Sequence, residues 1–337
     1  MLSYIVKRLL QGVFVVIGIS ILIFIISRIV PGDPARMALG PRAPQFAVDE
    51  LKKEMHFDKP ITVQYLHWFR GVIKGDFGKS LNTKRPVSKD IKDFFPATLE
   101  LVLFSGFLLI VFSIIFGLLS TKYRDTWVDS VIRIFSYFGI STPAFVRAAL
   151  LLLIFGYLWK LFPVFGRLSA GILIPKRVTG MITIDSLIAG DFKAFADSLK
   201  HLLLPSIALT TGPIFQEARI IRSSLIDNMN KEYIAMVNAY GIPKDKVLGK
   251  YLLKPSFIPV VSVMGLDIAQ LMGDAFLVET IFCWPGISRY GINAMLNKDL
   301  NSISAVIVII GIIFLIVNII VDLVIAWIDP RVRLGGS

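Results

Sequence analysis

Cysteine occurs once in the 337 residues, at Cys283, so no disulfide can close within the chain. Histidine is almost as scarce: His56, His67 and His201 stand far apart, without the spacing that brings two rings onto one metal. Gly78-Lys79-Ser80 mimics the end of a phosphate-binding loop, but the pattern needs a glycine five places before Gly78, where the chain has Ile73. No other stretch matches a phosphate loop, and none offers a nucleophile elbow or a zinc-binding helix. Charged residues make up 18%, with 36 basic against 24 acidic. These absences give no reason to expect a catalytic constellation, a resident metal or a cofactor bound by this chain.

What the chain has in quantity is hydrocarbon. Hydrophobic residues reach 55% and mean hydropathy is +0.71, above the range of soluble globular proteins. A membrane-crossing helix needs about 20 apolar residues. Six stretches qualify: Leu9–Val30, Thr98–Ser120, Ile132–Leu161 with a kink expected at Pro143, Leu202–Ile221 broken by Pro205 and Pro213, Ser256–Phe282, and Val306–Ile328. Leu9–Val30 is too long for a signal-peptide core and lacks a clear small-residue cleavage site, so it reads as an anchor. The expected fold is an all-α integral membrane protein with six transmembrane helices. The net charge of +12 then belongs to residues that flank spans and meet anionic headgroups, and nucleic acid is not an expected partner.

Orientation follows from the short loops. With the N-terminus inside, the cytoplasmic segments 1–8, 122–131, 222–256 and 329–337 hold 12 basic residues in 62, against seven in 60 for the outer loops 162–200 and 283–303. The loop 31–96 also holds 12, but loops longer than about 60 residues escape the rule. Both termini are therefore expected in the cytoplasm. The chain divides into 1–30 (terminal segment and first span), an extracytoplasmic insertion at 31–96, a five-span core at 97–328, and a tail at 329–337. Within the insertion, Val48–Met55 reads as one short helix, and Ile61, Tyr65, Trp68, Phe69, Val72 and Ile73 give a second an apolar face. Two such helices bury little by themselves, so they are expected to rest on the spans or on an outside partner.

One polar, basic segment stands between the fourth and fifth spans. From Glu232 to Tyr240 the residues favour helix, Gly241 permits a left-handed turn, and Pro243 suits the first turn of a second helix. Two short helices meeting at a glycine corner would form a stiff knob suited to receiving force; the plainer reading is an ordinary connecting loop. Within the spans, Glu100, Arg147, Asp267, Gln270, Asp274, Glu279, Asn318 and Asp322 are polar. A charge at mid-bilayer costs about 2.5–3.5 kcal/mol on insertion scales, so such residues face a cavity or a partner. Asp267, Gln270, Asp274 and Glu279 are the candidate translocation-path residues. Helix-to-helix pairing is the competing reading, and Glu279, near a span end, leans that way.

Several short motifs keep one order and spacing along nearly the whole chain. They are Pro31-Gly32-Asp33-Pro34, Gly75-Asp76-Phe77-Gly78-Lys79-Ser80, Pro96-Ala97-Thr98-Leu99-Glu100-Leu101, Ile140-Ser141-Thr142-Pro143-Ala144-Phe145, Phe162-Pro163-Val164-Phe165-Gly166-Arg167, His201-Leu202-Leu203-Leu204-Pro205, Ala218-Arg219-Ile220-Ile221-Arg222-Ser223-Ser224, Val278-Glu279-Thr280-Ile281-Phe282-Cys283-Trp284-Pro285-Gly286, and Asn318 with Asp322 ahead of Asp329-Pro330-Arg331. On these the chain resembles the B-type permease subunit of ATP-binding cassette importers for dipeptides, oligopeptides and, in some members, nickel. The resemblance implies the type I importer permease fold in a bacterial or archaeal plasma membrane, and a coupling loop at 225–256, with Tyr233–Pro259 docking on a cytoplasmic ATPase. It assigns ATPase coupling to Glu232, Tyr233, Ala239, Tyr240, Gly241, Pro243 and Lys246. It also implies a second homologous permease subunit, two ATP-binding cassette subunits that hold ATP and Mg, and an extracytoplasmic solute-binding protein meeting loops 31–96 and 283–303. One departure stands out: the broader importer pattern has Glu-Ala-Ala before the glycine, where this chain has Ala235-Met236-Val237, removing one salt bridge to the ATPase. The alternatives are import of nickel or another small solute by the same architecture, and proton-coupled transport through Asp267, Asp274 and Glu279.

Overall fold

Inside a bilayer the backbone has no water to bond, so long apolar stretches satisfy themselves as helices. The computed structural model describes residues 2–29, 36, 39, 40, 42–54, 58–243 and 246–328. Helices make up its architecture: α1 Leu2–Ile29, α2 Gln45–Glu54, α3 Ile61–Ile73, α4 Val87–Lys122, α5 Trp127–Ser141, α6 Ala144–Leu151 leading into a π-helical stretch Leu152–Leu158, α7 Ile182–Ala189, α8 Phe192–Met229, α9 Glu232–Ala239, a second π-helical stretch Val247–Leu253, α10 Lys254–Ile281, α11 Ile287–Leu296 and α12 Leu300–Ile328. Among the described residues, extended backbone pairs only at an isolated bridge between Lys79 and Pro86. The motif Pro31–Pro34 and the tail 329–337 lie outside the described residues.

Among the described residues, three helices are long and apolar enough to cross a membrane: α4, the run Gly249–Ile281, and α12. The pair α5 and α6 with its π stretch meets the test together as a fourth, bent by 111°. In α1 the apolar stretch is Leu10–Ile26. The polar residues of α8 keep it from meeting the same test, although it is 38 residues long.

Two of the prolines behave differently from expectation. α8 runs unbroken through Pro205 and Pro213. A proline removes one helix hydrogen bond, yet neighbouring helices can serve the disturbed backbone. Here the Arg147 Nε donates to the Ala208 carbonyl at 3.0 Å, in the turn below Pro213, and the Ser136 hydroxyl donates to the Phe215 carbonyl at 3.2 Å. At Pro143, by contrast, the expected kink is a full break. Thr142 is extended at φ −104 and ψ 120, as a residue before proline prefers, and Pro143 caps the start of α6.

The buried apolar side chains form two main clusters at opposite ends of the long helices. Ala97, Leu101, Leu204, Leu209, Leu271 and Trp284 belong to one; Leu109, Ile221, Leu225, Ile234, Val260 and Met264 belong to the other. α4 and α8 run side by side, and at Gly117 an added Cβ would come within 2.7 Å of the Ile221 side chain. The helix α3 rests on α1 as expected: the Tyr65 hydroxyl meets the Ser20 hydroxyl at 2.8 Å, and the Phe24 ring lies 5.4 Å from Tyr65 and 5.6 Å from Trp68.

Candidate functional site: a hinged corner and a charged cavity

The corner at Gly241 follows from local chemistry. Glu232 places a carboxylate in the first turn of α9, where the helix dipole favours it. The helix stops at Ala239; the Tyr240 amide donates to the Met236 carbonyl at 3.1 Å, and Gly241 turns into the left-handed region at φ +70. The Pro243 carbonyl then accepts from the amides of Lys246, at 2.9 Å, and Val247, at 3.1 Å, opening the next helix. That helix is not a second short one. From Lys246 it passes through the π-helical stretch directly into α10 and continues to Ile281. The corner is thus the free end of a long rod.

All seven residues singled out there, Glu232, Tyr233, Ala239, Tyr240, Gly241, Pro243 and Lys246, are exposed. Met236 and Tyr240 present apolar surface, 58% and 73% exposed, while Ile234 is buried and seats α9 on the core. Beneath the corner the Asn228 amide donates to Ser224 O at 2.8 Å and to the Ser256 hydroxyl at 3.1 Å, and the Ser224 hydroxyl donates to Ser256 O at 2.9 Å. These bonds tie the end of α8 to the start of α10.

Further along the same rod, a cavity of about 400 Å³ opens between α5, α6, α8 and α10. Asp267, Gln270 and Asp274 line it from α10, Gln216 from α8 and Arg147 from α6. The broken span builds one wall. Arg147 turns back into the break, where its Nη1 donates to Gly139 O at 2.8 Å and also to Thr142 O, supplying the carbonyls that end α5. The expected ion pair of Arg147 is therefore replaced by bonds to backbone carbonyls; among the described residues no ion pair joins it to Asp274. Gly212 lets α8 approach this wall, since a Cβ there would lie 2.8 Å from Gly139 O.

Glu279, expected with the path residues, does not line this cavity. It is fully buried, accepting from the Thr98 hydroxyl and, at 2.8 Å, from the Arg289 amide. Thr98 in turn accepts from the Ile287 amide at 2.8 Å, so Glu279 fastens α10 to α4 and α11. Asn318 donates to Phe314 O of its own helix at 2.7 Å, and together with Asp322 it borders a groove between α1 and α12. Gln216 and Glu217 were missed in the sequence. Their signal was a polar pair one turn after Pro213 in a helix otherwise read as a span.

Among the described residues, no three His, Cys, Asp or Glu side chains are placed to hold a metal ion. The Trp284 end carries a different kind of polar structure. Glu100 pairs with Arg167 and accepts from the amide and hydroxyl of Thr183, both at 2.7 Å; the Arg167 guanidinium lies 5.7 Å from the Trp284 ring centre, and the Trp284 Nε1 donates to Ala97 O at 2.9 Å.

Comparison with known proteins agrees with this architecture. Residues 110–334 match the binding-protein-dependent transport system inner membrane component family, and residues 1–102 match the N-terminal region of such membrane components. The chain is 36% identical over 326 residues to the probable D,D-dipeptide transport system permease protein of Escherichia coli (strain K12), covering 96% of each. It is 36% identical over 333 residues to the dipeptide transport system permease protein of Alkalihalophilus pseudofirmus, covering 99% of this chain and 100% of that one. To the glutathione transport system permease protein of Salmonella choleraesuis it is 31% identical over 333 residues, covering 99% of each. The chain belongs to the family of binding-protein-dependent transport system inner membrane components, and is a multi-pass permease subunit of the plasma membrane rather than an enzyme.

Proposed function

We propose that this chain forms one half of a heterodimeric channel through which an ATP-binding cassette importer brings dipeptides or short oligopeptides into the cell. In this reading it crosses the membrane six times with both termini inside, and the helices of 31–96 lie outside with loop 283–303, facing a solute-binding protein. Two ATPase subunits close on ATP, and one of them grips the corner formed by Glu232, Tyr233, Ala239, Tyr240, Gly241, Pro243 and Lys246. ATP and Mg act there, in the partner subunits, and the chain itself does no bond chemistry.

The observation that carries the reading is continuity. The helix that starts at Lys246, beside the exposed corner, is the helix that carries Asp267, Gln270 and Asp274 into the cavity. A rigid-body push at one end of such a rod changes the exposure of the other, as in hinge and shear transitions. The names of the relatives, dipeptide and glutathione permeases, support a short peptide as cargo. They favour peptides over nickel.

Gly241→Val tests the reading. Space is not the obstacle, since nothing lies within 4 Å of an added Cβ; the positive φ is. A β-branched residue in the left-handed region costs about 1–2 kcal/mol, which shifts the corner. In the full importer, reconstituted with its ATPases, second permease and binding protein, peptide uptake should fall severalfold while ATP is still hydrolysed. Wild-type uptake that proceeds without ATP, or a variant whose uptake and peptide-stimulated ATPase both match wild type, would refute the lever.

A further inference from the structure

The cavity divides its charge between two walls. Asp267 and Asp274 reach it from α10, with the amide of Gln270 between them, while the Arg147 guanidinium reaches it from α6. Arg147 spends its Nε and Nη1 on backbone carbonyls, which fixes the guanidinium in place, so that it acts on Asp274 through space without forming an ion pair with it. The acidic wall is also short of donors. Asp267 faces Glu217 of α8, close enough for one proton to be shared between them, and among the described residues no other donor reaches either Glu217 oxygen or the Asp267 Oδ2. Glu217 itself is fully buried. Two ionised carboxylates only accept, so the pair closes either on a proton shared between them or on N–H donors brought from outside. The size of the cavity suits a small organic molecule, for which pockets run from about 300 to 1,000 Å³.

We propose that this cavity is a zwitterion site. Asp274 and Asp267, backed by Glu217, receive the α-ammonium of the passing peptide, and the fixed Arg147 faces its carboxylate. The ammonium supplies three donors where the acids have none, and the fixed guanidinium offers a second charge without needing to be rebuilt. A neutral or singly charged solute would leave one wall unpaired, so the site selects by the two termini that every short peptide carries, with little dependence on its side chains. This deepens the peptide-import reading and rests on it.

The test uses the complete importer in proteoliposomes with a dipeptide-loaded binding protein. Wild-type uptake of Ala-Ala is the first measurement, because its failure would sink the import reading and leave nothing for the cavity to select. Given wild-type uptake, Asp274→Asn should lower it at least tenfold, and Asp274→Glu should recover most of the loss. Equal uptake by wild type and Asp274→Asn overturns the site, and so does an Asp274→Glu no better than Asp274→Asn, since size and not charge would then govern. If Asp274→Asn fails to assemble, Leu277 decides. It lines the cavity one turn from Asp274 and is half exposed, so it tolerates change. Leu277→Lys places a tethered ammonium against the acidic wall and should depress uptake well below Leu277→Glu. Lys equal to or better than Glu at that position rejects the proposal, and points to a carboxyl pair closed by a shared proton with no role in recognition.

Discussion

The Trp284 end of the helix bundle and the corner at Gly241 are held by different means. At the Trp284 end, buried carboxylates each collect several donors from separate elements. Glu100 takes Arg167 and Thr183, and Asp299 takes the Ser80 hydroxyl at 2.6 Å, the Leu81 amide at 2.9 Å and the Ser302 hydroxyl at 2.8 Å. The Tyr290 hydroxyl joins Ser302 at 2.6 Å and Asp90 at 3.1 Å. The Gly241 end has one such carboxylate too, Asp129, which takes the Ser120 hydroxyl, the Asp125 amide at 3.2 Å and Arg222 at 2.9 Å, but the corner beyond it is held by less: α9 presents exposed Met236 and Tyr240, and the turn rests on one glycine. The difference teaches a division of labour. One is a clamped frame, and the other is a lightly held corner, the lever of the proposed reading.

The frame gives the largest expected effect. Glu100→Ala strips the Arg167 guanidinium, 12% exposed, of its carboxylate. Breaking one partner out of a buried ion pair costs about 3–5 kcal/mol. Thermal unfolding of the purified importer should register that loss; an unchanged melting temperature would mean that the Trp284 end is not the frame. Glu279→Gln comes next. Exchanging a carboxylate that accepts from Thr98 and the Arg289 amide for an amide should cost about 1.5–3 kcal/mol. Uptake per folded complex should stay near wild type, because Glu279 lies away from the cavity. A selective loss of uptake with stability intact would return Glu279 to the path.

Much of this division was legible in the residues. The glycine corner was readable because only glycine takes φ +70 cheaply, and a proline two residues later can only open a helix. The apolar runs gave the long helices, and the face built by Tyr65, Trp68 and Phe69 gave the contact of α3 with α1. What escaped depends on neighbours far away in the chain. The backbone around Pro213 is bonded by Arg147 and Ser136, which lie on other helices and cannot be read from α8 itself. Glu279 and Asp274 look alike in sequence, both acids in one span; only the positions of Thr98 and Arg289 separate a fastener from a cavity wall. The continuity of the helix from Lys246 into α10 was hidden because a π-helical stretch has no propensity signature of its own.

A smaller effect on the frame comes from acid. Burial by itself would raise the Asp185 carboxyl, but donors outweigh it: the Thr179 amide at 2.7 Å, its hydroxyl at 2.8 Å and the Gly180 amide at 2.9 Å hold the group below the usual carboxylate range. A depressed folded value means that the stabilisation is fully present above the ordinary carboxylate value, about 3.9, and is lost as pH falls through the lower folded one. Amide exchange at Thr179 and Gly180 should therefore stay slow at neutral pH and accelerate only in strong acid. Asp185→Asn should bring the faster exchange to neutral pH, leaving the Gly241 end untouched.

The smallest effect belongs to the lever and probes it most directly. The Tyr233 hydroxyl reaches Asn228 Oδ1 at 3.4 Å and Tyr251 O at 3.3 Å, distances at the weak edge of hydrogen bonding. It can donate its one proton to only one of them at a time. Tyr233→Phe should thus cost about 0.5 kcal/mol, the low end for a single net bond, with uptake within twofold of wild type. Exchange should quicken in α9 and the first turns after Lys246 but not around Trp284. Uptake falling far more than stability would mean that the hydroxyl's main partner sits on the ATPase, making Tyr233 part of the grip instead of part of the base beneath it.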